Sequence, residues 1–424
     1  MSPLPNRVRR RVTSEPRARE PAPFIQARHL RMAPLGRTDG PPVIDIEPAR
    51  YQQSFLTTPL RPRASSSPEP VVESHPRQHW KTAERDIIRL RPKHEYKLHS
   101  TRAGLYGLMG NSSENDLSLL RLGRAQLGSL CRALNLADRA DELFEPMTFV
   151  LGPHADHDRR EGVRFPSDVS DDHTPFEFSV SLAGREQQLR VLMETPGPDA
   201  TLATTHTACV AMTEQLVRRL NLRAERLRRV EDLFQSTAPS GRFSRWHALE
   251  FSPGRPISVK VYFNPQLHGR ECAGEVVEAA LRRLGRPDAW DEVVRRAARG
   301  EADELTYFSL DLDDSPTTRA KVYVRHHHAT AEEIEATLAG TREYSPGSAS
   351  AFCRAMLGSA RPFGARPVFT CLSWVEGVPG PKPTIYAPVA GYARDDADVR
   401  DRVLSFMRAA GLPSDAYERM LAPP

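Results

Sequence analysis

The sequence predicts an α+β fold: a closed antiparallel ten-stranded β-barrel of about five ααββ units, helices outside, with a disordered N-terminal tail. Three observations predict it. Two helical stretches alternate with two strand-like stretches about four times, and a fifth unit is expected near the N-terminus. Within each strand pair a short turn joins the strands, so they run antiparallel and a parallel βαβ sheet is excluded. About ten such strands with helices on one side close most simply into a barrel, which removes the sheet edges. A barrel of that size is too wide for its own side chains to fill and can hold a ligand.

The elements follow in chain order. Residues 1–75 hold 13 prolines, 12 arginines, no lysine and seven acidic residues, and include RASSSPEP. That composition buries too little apolar surface to offset chain entropy, so it reads as a disordered tail, with residues 76–424 as one domain. Helical periodicity runs through LSLLRLGRAQLGSLCRALNLADRADELF, with Leu117, Leu120, Leu127, Leu130 and Leu134 on one stripe. The strand block PFEFSVSLAGREQQLRVLMETPG follows, then a helical stretch from about Thr204 to Phe234. WHALEFSPGRPISVKVYFNP is a hairpin turning at Pro-Gly-Arg. Helix returns in AGEVVEAALRRLG and AWDEVVRRAARG, and the hairpin ELTYFSLDLDDSPTTRAKVYVRHHH turns at Asp-Asp-Ser-Pro. TAEEIEATLAGT and ASAFCRAMLG are helical, PVFTCLSWVEGVPGPKPTIYAPVAGYA is the last hairpin, and DADVRDRVLSFMRAAG is a closing helix.

Charge narrows the function. The tail takes 12 of the 59 basic and 7 of the 54 acidic residues, so the remaining chain carries 47 of each. The basic pI belongs to the tail, and a neutral body argues against a nucleic-acid partner. Five widely spaced cysteines without a CxxC pair fit reduced thiols rather than a disulfide framework or a zinc site. No run of about 18 apolar residues predicts a membrane span. These features predict a cytoplasmic protein acting on small molecules, with no membrane partner, as a monomer or homodimer.

The strands carry an unusual inner face. In TTRAKVYV, Arg319, Lys321 and Tyr323 share one face of the strand, and Ala320, Val322 and Val324 form the other. In SVKVYFNP, Lys260 and Tyr262 alternate with Val259, Val261 and Phe263. Arg190 alternates with Leu189 and Val191, and Thr384 shares a face with Tyr386. If helices cover the apolar faces, four cations and three tyrosines point inward. Such a cluster needs an anion to neutralise it, and diphosphate is multivalent and suited to arginine. Tyrosine rings shield a carbocation by cation–π attraction. Glu177, on a face with Ser179 and Ser181, is an acceptor for a substrate N–H.

From about Trp80 to Tyr417 the chain resembles the dimethylallyltryptophan synthase type of aromatic prenyltransferase, in its bacterial form. The matching stretches are LGPHADHDRREGVRFPSDVSDDHTPFEFSVSL, VKVYFNP, TRAKVYV and PTIYAPVAGYARDD. The resemblance implies an ααββ (ABBA) barrel and transfer of a dimethylallyl group from dimethylallyl diphosphate to the indole of tryptophan or a derivative, in secondary metabolism. It implies that Glu177 binds the indole N–H. Arg190, Lys260, Arg319 and Lys321, with Thr384 nearby, become the diphosphate clamp, and Tyr262, Tyr323 and Tyr386 the shield. It implies no cofactor and no metal, in keeping with the missing DDxxD motif: Asp395, Asp396 and Asp398 are followed by Val399. Fungal relatives place a proton-removing lysine on the strand before VKVYF. Here residues 246–259 contain none, leaving His247 or Glu250 as possible proton acceptors. The stretch from Ala302 to Pro316 also lacks an arginine for a substrate carboxylate.

Other readings keep the fold but change the partner: another aromatic acceptor (a cyclic dipeptide, an indolactam, a phenol), or a non-catalytic anion- or RNA-binding barrel. His326-His327-His328 reads as a solvated strand end, because adjacent strand residues alternate faces and cannot all ligate one ion. Trp374 reads as core.

Overall fold

The computed structural model describes residues 29–32, 44–47 and 118–421, apart from 183–187, 253, 314, 316 and 359–361. Most of the 1–75 segment therefore lies outside the described residues.

Eight antiparallel strands form one curled sheet: β3 (Phe176–Ser181), β4 (Gln188–Met193), β5 (Arg245–Phe251), β6 (Ser258–Phe263), β7 (Asp303–Asp311), β8 (Arg319–His326), β9 (Val368–Val375) and β10 (Lys382–Ala387). Each pairs with its neighbours in sequence. Two short strands, β1 (His29–Met32) and β2 (Ile44–Glu47), pair with each other. In the ladder Leu30 stands opposite Ala387 of β10, and Ile46 opposite Val180 of β3. So the 1–75 segment, expected to be disordered, contains eight residues in strand geometry.

The helices are α1 (Leu119–Ala133), α2 (Ala140–Leu151), α3 (Leu202–Arg219), α4 (Glu225–Arg228), α5 (Ala273–Arg283), α6 (Asp288–Arg296), α7 (Ala331–Leu338), α8 (Ser348–Leu357), α9 (Asp396–Ala409) and α10 (Asp415–Leu421). Local chemistry sets several starts. Ser118 and Thr201 accept from the backbone N–H three residues on, and Thr330 with Glu333 forms a capping box. The stripe that began at Leu117 splits into α1 and α2, because Asn135 takes a left-handed φ of 57°. The stretch from Thr204 to Phe234 likewise breaks after Arg219, with Asn221 at φ 48°. The short helix α10 has no counterpart among the expected elements.

Alternation sorts the strand residues into two layers. Leu189, Val191, Val259, Val261, Phe263, Ala320, Val322, Val324 and Ile385 join the main core, packed with helix residues such as Val277, Leu281, Ile334 and Phe352. Trp374 belongs to the same layer, as core. A second, smaller cluster lines the other face: Val169, Phe243, Trp246, Ala248, Tyr262, Tyr307, Tyr323, Cys371 and Tyr386. That concave face carries the candidate site.

Candidate active site

The expected cations converge on the concave face, and two carboxylates stand among them. Arg190 on β4 lies opposite Glu250 on β5, and its Nε donates to Glu250 Oε1 at 2.8 Å. Lys260 Nζ donates to the same oxygen at 2.5 Å and lies 3.4 Å from Asp311 Oδ1. Arg319 Nε donates to Asp311 Oδ2 at 2.6 Å, and its Nη2 is 3.6 Å from Glu250 Oε2. Lys321 is buried two residues along β8 from Arg319, opposite Ser309. Glu250 and Asp311 thus organise the tier. Among these six side chains four positive and two negative charges leave a formal +2.

The site shifts these groups in definite directions. Burial pushes Glu250 upward, but Arg190, Lys260, Arg319 and Lys321 outweigh it and hold the carboxyl well below its ordinary value. Burial also raises Asp311, and Lys260 and Arg319 bring it down below the usual range. Burial lowers Lys260, offset only in part by Glu250 and Asp311. A carboxylate held so firmly ionised is a weak base. Glu250, one of the two possible proton acceptors, thus stands as a counter-ion of the cationic tier.

His247 needs a larger correction. It shares β5 with Glu250 but has the opposite parity, so it faces the helices. Its Nε2 lies 2.9 Å from Thr213 Oγ1 on α3, and it is fully buried. Burial, with Arg245 adding to it, drops its pKa to about 3. It is a neutral packing residue outside the concave face.

The tyrosines assemble as expected and gain a fourth member. Ring centroids are 5.8 Å apart for Tyr262 and Tyr323 and 5.7 Å for Tyr323 and Tyr386. Tyr307 joins them, 5.6 Å from Tyr323 and 6.5 Å from Tyr262. A β-bulge between Leu305 and Tyr307 turns Tyr307 inward, opposite Tyr323. The signal for it was present: Tyr307, Ser309 and Asp311 alternate with Phe308 and Leu310. Trp246, opposite Tyr262, continues the aromatic wall, 4.1 Å from Phe243 and 5.5 Å from Tyr307. Thr384 is buried opposite Cys371, and Glu177 is buried on β3 opposite Leu192.

The remaining motifs take structural roles. His326, expected at a solvated strand end, is wholly buried, with Nδ1 2.7 Å from Asp303 Oδ1 and Nε2 2.7 Å from Thr370 Oγ1. His327 Nε2 lies 2.8 Å from Glu304 Oε2. Asp395 caps α9 and Asp398 pairs with Arg402. Among the described residues no cluster of three or more His, Cys, Asp or Glu side chains is arranged to hold a metal, and no helix is long and apolar enough to cross a membrane.

A cationic tier beside an aromatic tier suits an allylic diphosphate, and comparison with known proteins agrees. The family model described as tryptophan dimethylallyltransferase matches residues 147–420. The crystal structure of 6-dimethylallyltryptophan synthase from Micromonospora olivasterospora, in complex with DMASPP and Trp, is 32% identical with a TM-score of 0.68. That match covers 72% of this chain and 87% of the other. The 5-dimethylallyltryptophan synthase from Streptomyces coelicolor is 29% identical with a TM-score of 0.67, covering 73% and 89%. PriB, in a binary complex with product diphosphate, is 32% identical with a TM-score of 0.66, covering 72% and 86%. The chain is an aromatic prenyltransferase and belongs to the tryptophan dimethylallyltransferase family.

Proposed function

We propose that the concave face transfers a dimethylallyl group from dimethylallyl diphosphate to the indole of tryptophan or a tryptophan derivative. The observation that carries this reading is a repeated offset. On β6 and β8 a cation is followed two residues later by a tyrosine (Lys260 and Tyr262, Lys321 and Tyr323), and on β10 Thr384 precedes Tyr386 in the same step. Two residues along a strand span about 7 Å. A diphosphate held in the first tier therefore places its allyl group among the rings of the second.

The residues then divide the work. Arg190, Lys260, Arg319 and Lys321, with Thr384 beside them, bind the diphosphate and stabilise the charge that grows on it as the C–O bond breaks. Tyr262, Tyr323, Tyr386 and Tyr307 surround the allyl cation, each ring face contributing about 0.5–2 kcal/mol of cation–π attraction. Glu177 accepts a hydrogen bond from the indole N–H, orients the ring and raises its electron density. The ring attacks the allyl carbon as the C–O bond to diphosphate breaks, and the ring proton then lost passes to an oxygen of the released diphosphate or to water.

Because side chains supply the positive charge that a divalent cation could otherwise provide, the reaction should run without added metal. We also propose that the working form is the closed ten-stranded barrel, bridged by β1 and β2. The ladder positions of Leu30 and Ile46 support it.

The test is incubation with dimethylallyl diphosphate and a panel of tryptophan derivatives, with and without EDTA, read by mass spectrometry. Gain of one prenyl unit in both conditions is expected. Prenylation of phenols but no indole would overturn the acceptor assignment, and loss of turnover in EDTA would overturn the metal-free clamp.

A further inference from the structure

A buried carboxylate outside the cationic tier ties together two parts of the concave chamber. Glu194 is the first residue beyond β4. Its N–H donates to Pro175 O at 2.9 Å, so the strand pairing continues through it, and alternation sets it on the same face as Arg190 and Leu192. The side chain is buried, and both oxygens are used. Trp246 Nε1–H donates to Oε1 at 3.2 Å, and Ser167 Oγ–H donates to Oε2 at 2.6 Å. A buried indole N–H needs an acceptor, and this carboxylate meets that need while fixing the ring's rotation.

The Ser167 end is equally specific. Ser167 Oγ also accepts from Val169 N–H at 3.3 Å, and Val169 is wholly buried within the cluster of Trp246 and the four tyrosines. The loop carrying Val169 is held by Asp168 against Arg242 at 2.8 Å and by Asp171 against Arg366 at 3.2 Å. The loop thus floors the aromatic chamber, Trp246 walls it, and Glu194 hydrogen-bonds to both.

We propose that Glu194 is a positioning residue for the aromatic acceptor: it fixes the Trp246 ring and the Val169 loop, and so sets acceptor affinity and the ring atom offered to the allyl group. The proposal rests on the concave face being the active site. It requires no contact between Glu194 and the diphosphate, so the two substrates should respond differently to its loss.

The experiment measures kcat, separate KM values for L-tryptophan and dimethylallyl diphosphate, and product regiochemistry by NMR. It compares wild type with Glu194→Ala, Glu194→Gln, Trp246→Phe and the Glu194→Ala/Trp246→Phe double variant. Thermal unfolding checks that each variant folds. Wild-type turnover of L-tryptophan tests the site assignment by itself, and the variants test Glu194. Glu194→Ala should raise the L-tryptophan KM about tenfold and broaden the product mixture, with the diphosphate KM within about twofold. Glu194→Gln keeps a carbonyl acceptor for the indole N–H and should recover most of that loss. In the Trp246→Phe background the same Glu194→Ala change should cost no more than about threefold. Equal loss in both backgrounds, or a diphosphate KM that rises with the acceptor KM, would overturn the proposal. So would failure of Glu194→Gln, if folded, to recover.

Discussion

Replacing Glu250 by Gln tests the charged tier most directly. Glu250 touches three cations: Arg190 at 2.8 Å, Lys260 at 2.5 Å and Arg319 at 3.6 Å. The substitution preserves shape and raises the formal charge of the six-residue set from +2 to +3. Removing one partner of a buried ion pair costs about 3–5 kcal/mol. For a domain of this size that lowers Tm by roughly 10 °C. The same change should favour an incoming anion. A phosphate oxygen bonded to Arg190 or Lys260 sits within about 5 Å of the Glu250 carboxylate. At an effective dielectric constant of about 20, repulsion between unit charges at that separation is about 3 kcal/mol, on the order of a hundredfold in affinity. Part of the gain is lost because Lys260, lowered by burial and raised by Glu250, gives up its proton more readily in the variant. The net expectation is that inorganic diphosphate binds Glu250→Gln at least about tenfold more tightly, and that kcat falls because product leaves slowly. The assay is thermal unfolding at pH 7 across a diphosphate titration, with calorimetric Kd values. A diphosphate-induced rise in Tm equal to or smaller than that of wild type would refute the reasoning.

Three further outcomes are expected. Arg319→Ala combined with Lys321→Ala should reduce turnover by about a thousandfold or more while the circular dichroism spectrum stays native, because the proposed clamp loses two of its four cations. Tyr323→Leu should lower kcat by roughly tenfold, whereas Tyr323→Phe should stay near wild type, since the ring face and not the hydroxyl carries the cation–π term; steady-state kinetics distinguish them. His247→Leu should leave turnover nearly unchanged, because the ring faces α3 and not the substrate. Its pH effect has a definite sign. With a folded pKa of about 3 against about 6.5 unfolded, His247 takes up its proton in the unfolded chain first, so stability falls as pH drops below about 6.5. By pH 5 that amounts to about 2 kcal/mol. His247→Leu should be spared this loss when unfolding is compared at pH 7 and pH 5.

What the sequence revealed, it revealed through parity. Lys260, Tyr262, Arg319, Lys321 and Tyr323 alternate with small or branched apolar residues, and period-two alternation is a property of the strand itself. Where both faces of a strand carry polar residues, parity loses its contrast. On β5, Arg245 and His247 face the helices while Trp246, Ala248 and Glu250 face the chamber, so where residues 246–259 lack a lysine, parity alone does not tell which of His247 and Glu250 meets the substrate. Tyr307 was legible in its alternation with Phe308 and Leu310, whereas the four-residue strands His29–Met32 and Ile44–Glu47 were hidden in proline- and arginine-rich sequence. Counter-charges were harder still, since an acidic residue on a strand says nothing of which cation it meets across the ladder. That gap changes the argument for function. Cations crowded in a cavity need compensating negative charge, and Glu250 and Asp311 supply part of it. The case for diphosphate therefore rests on the residual positive charge and on its placement one strand step from the tyrosine rings. A tier neutralised completely by its own carboxylates would hold no diphosphate, and a tier with no carboxylates would release it too slowly to turn over.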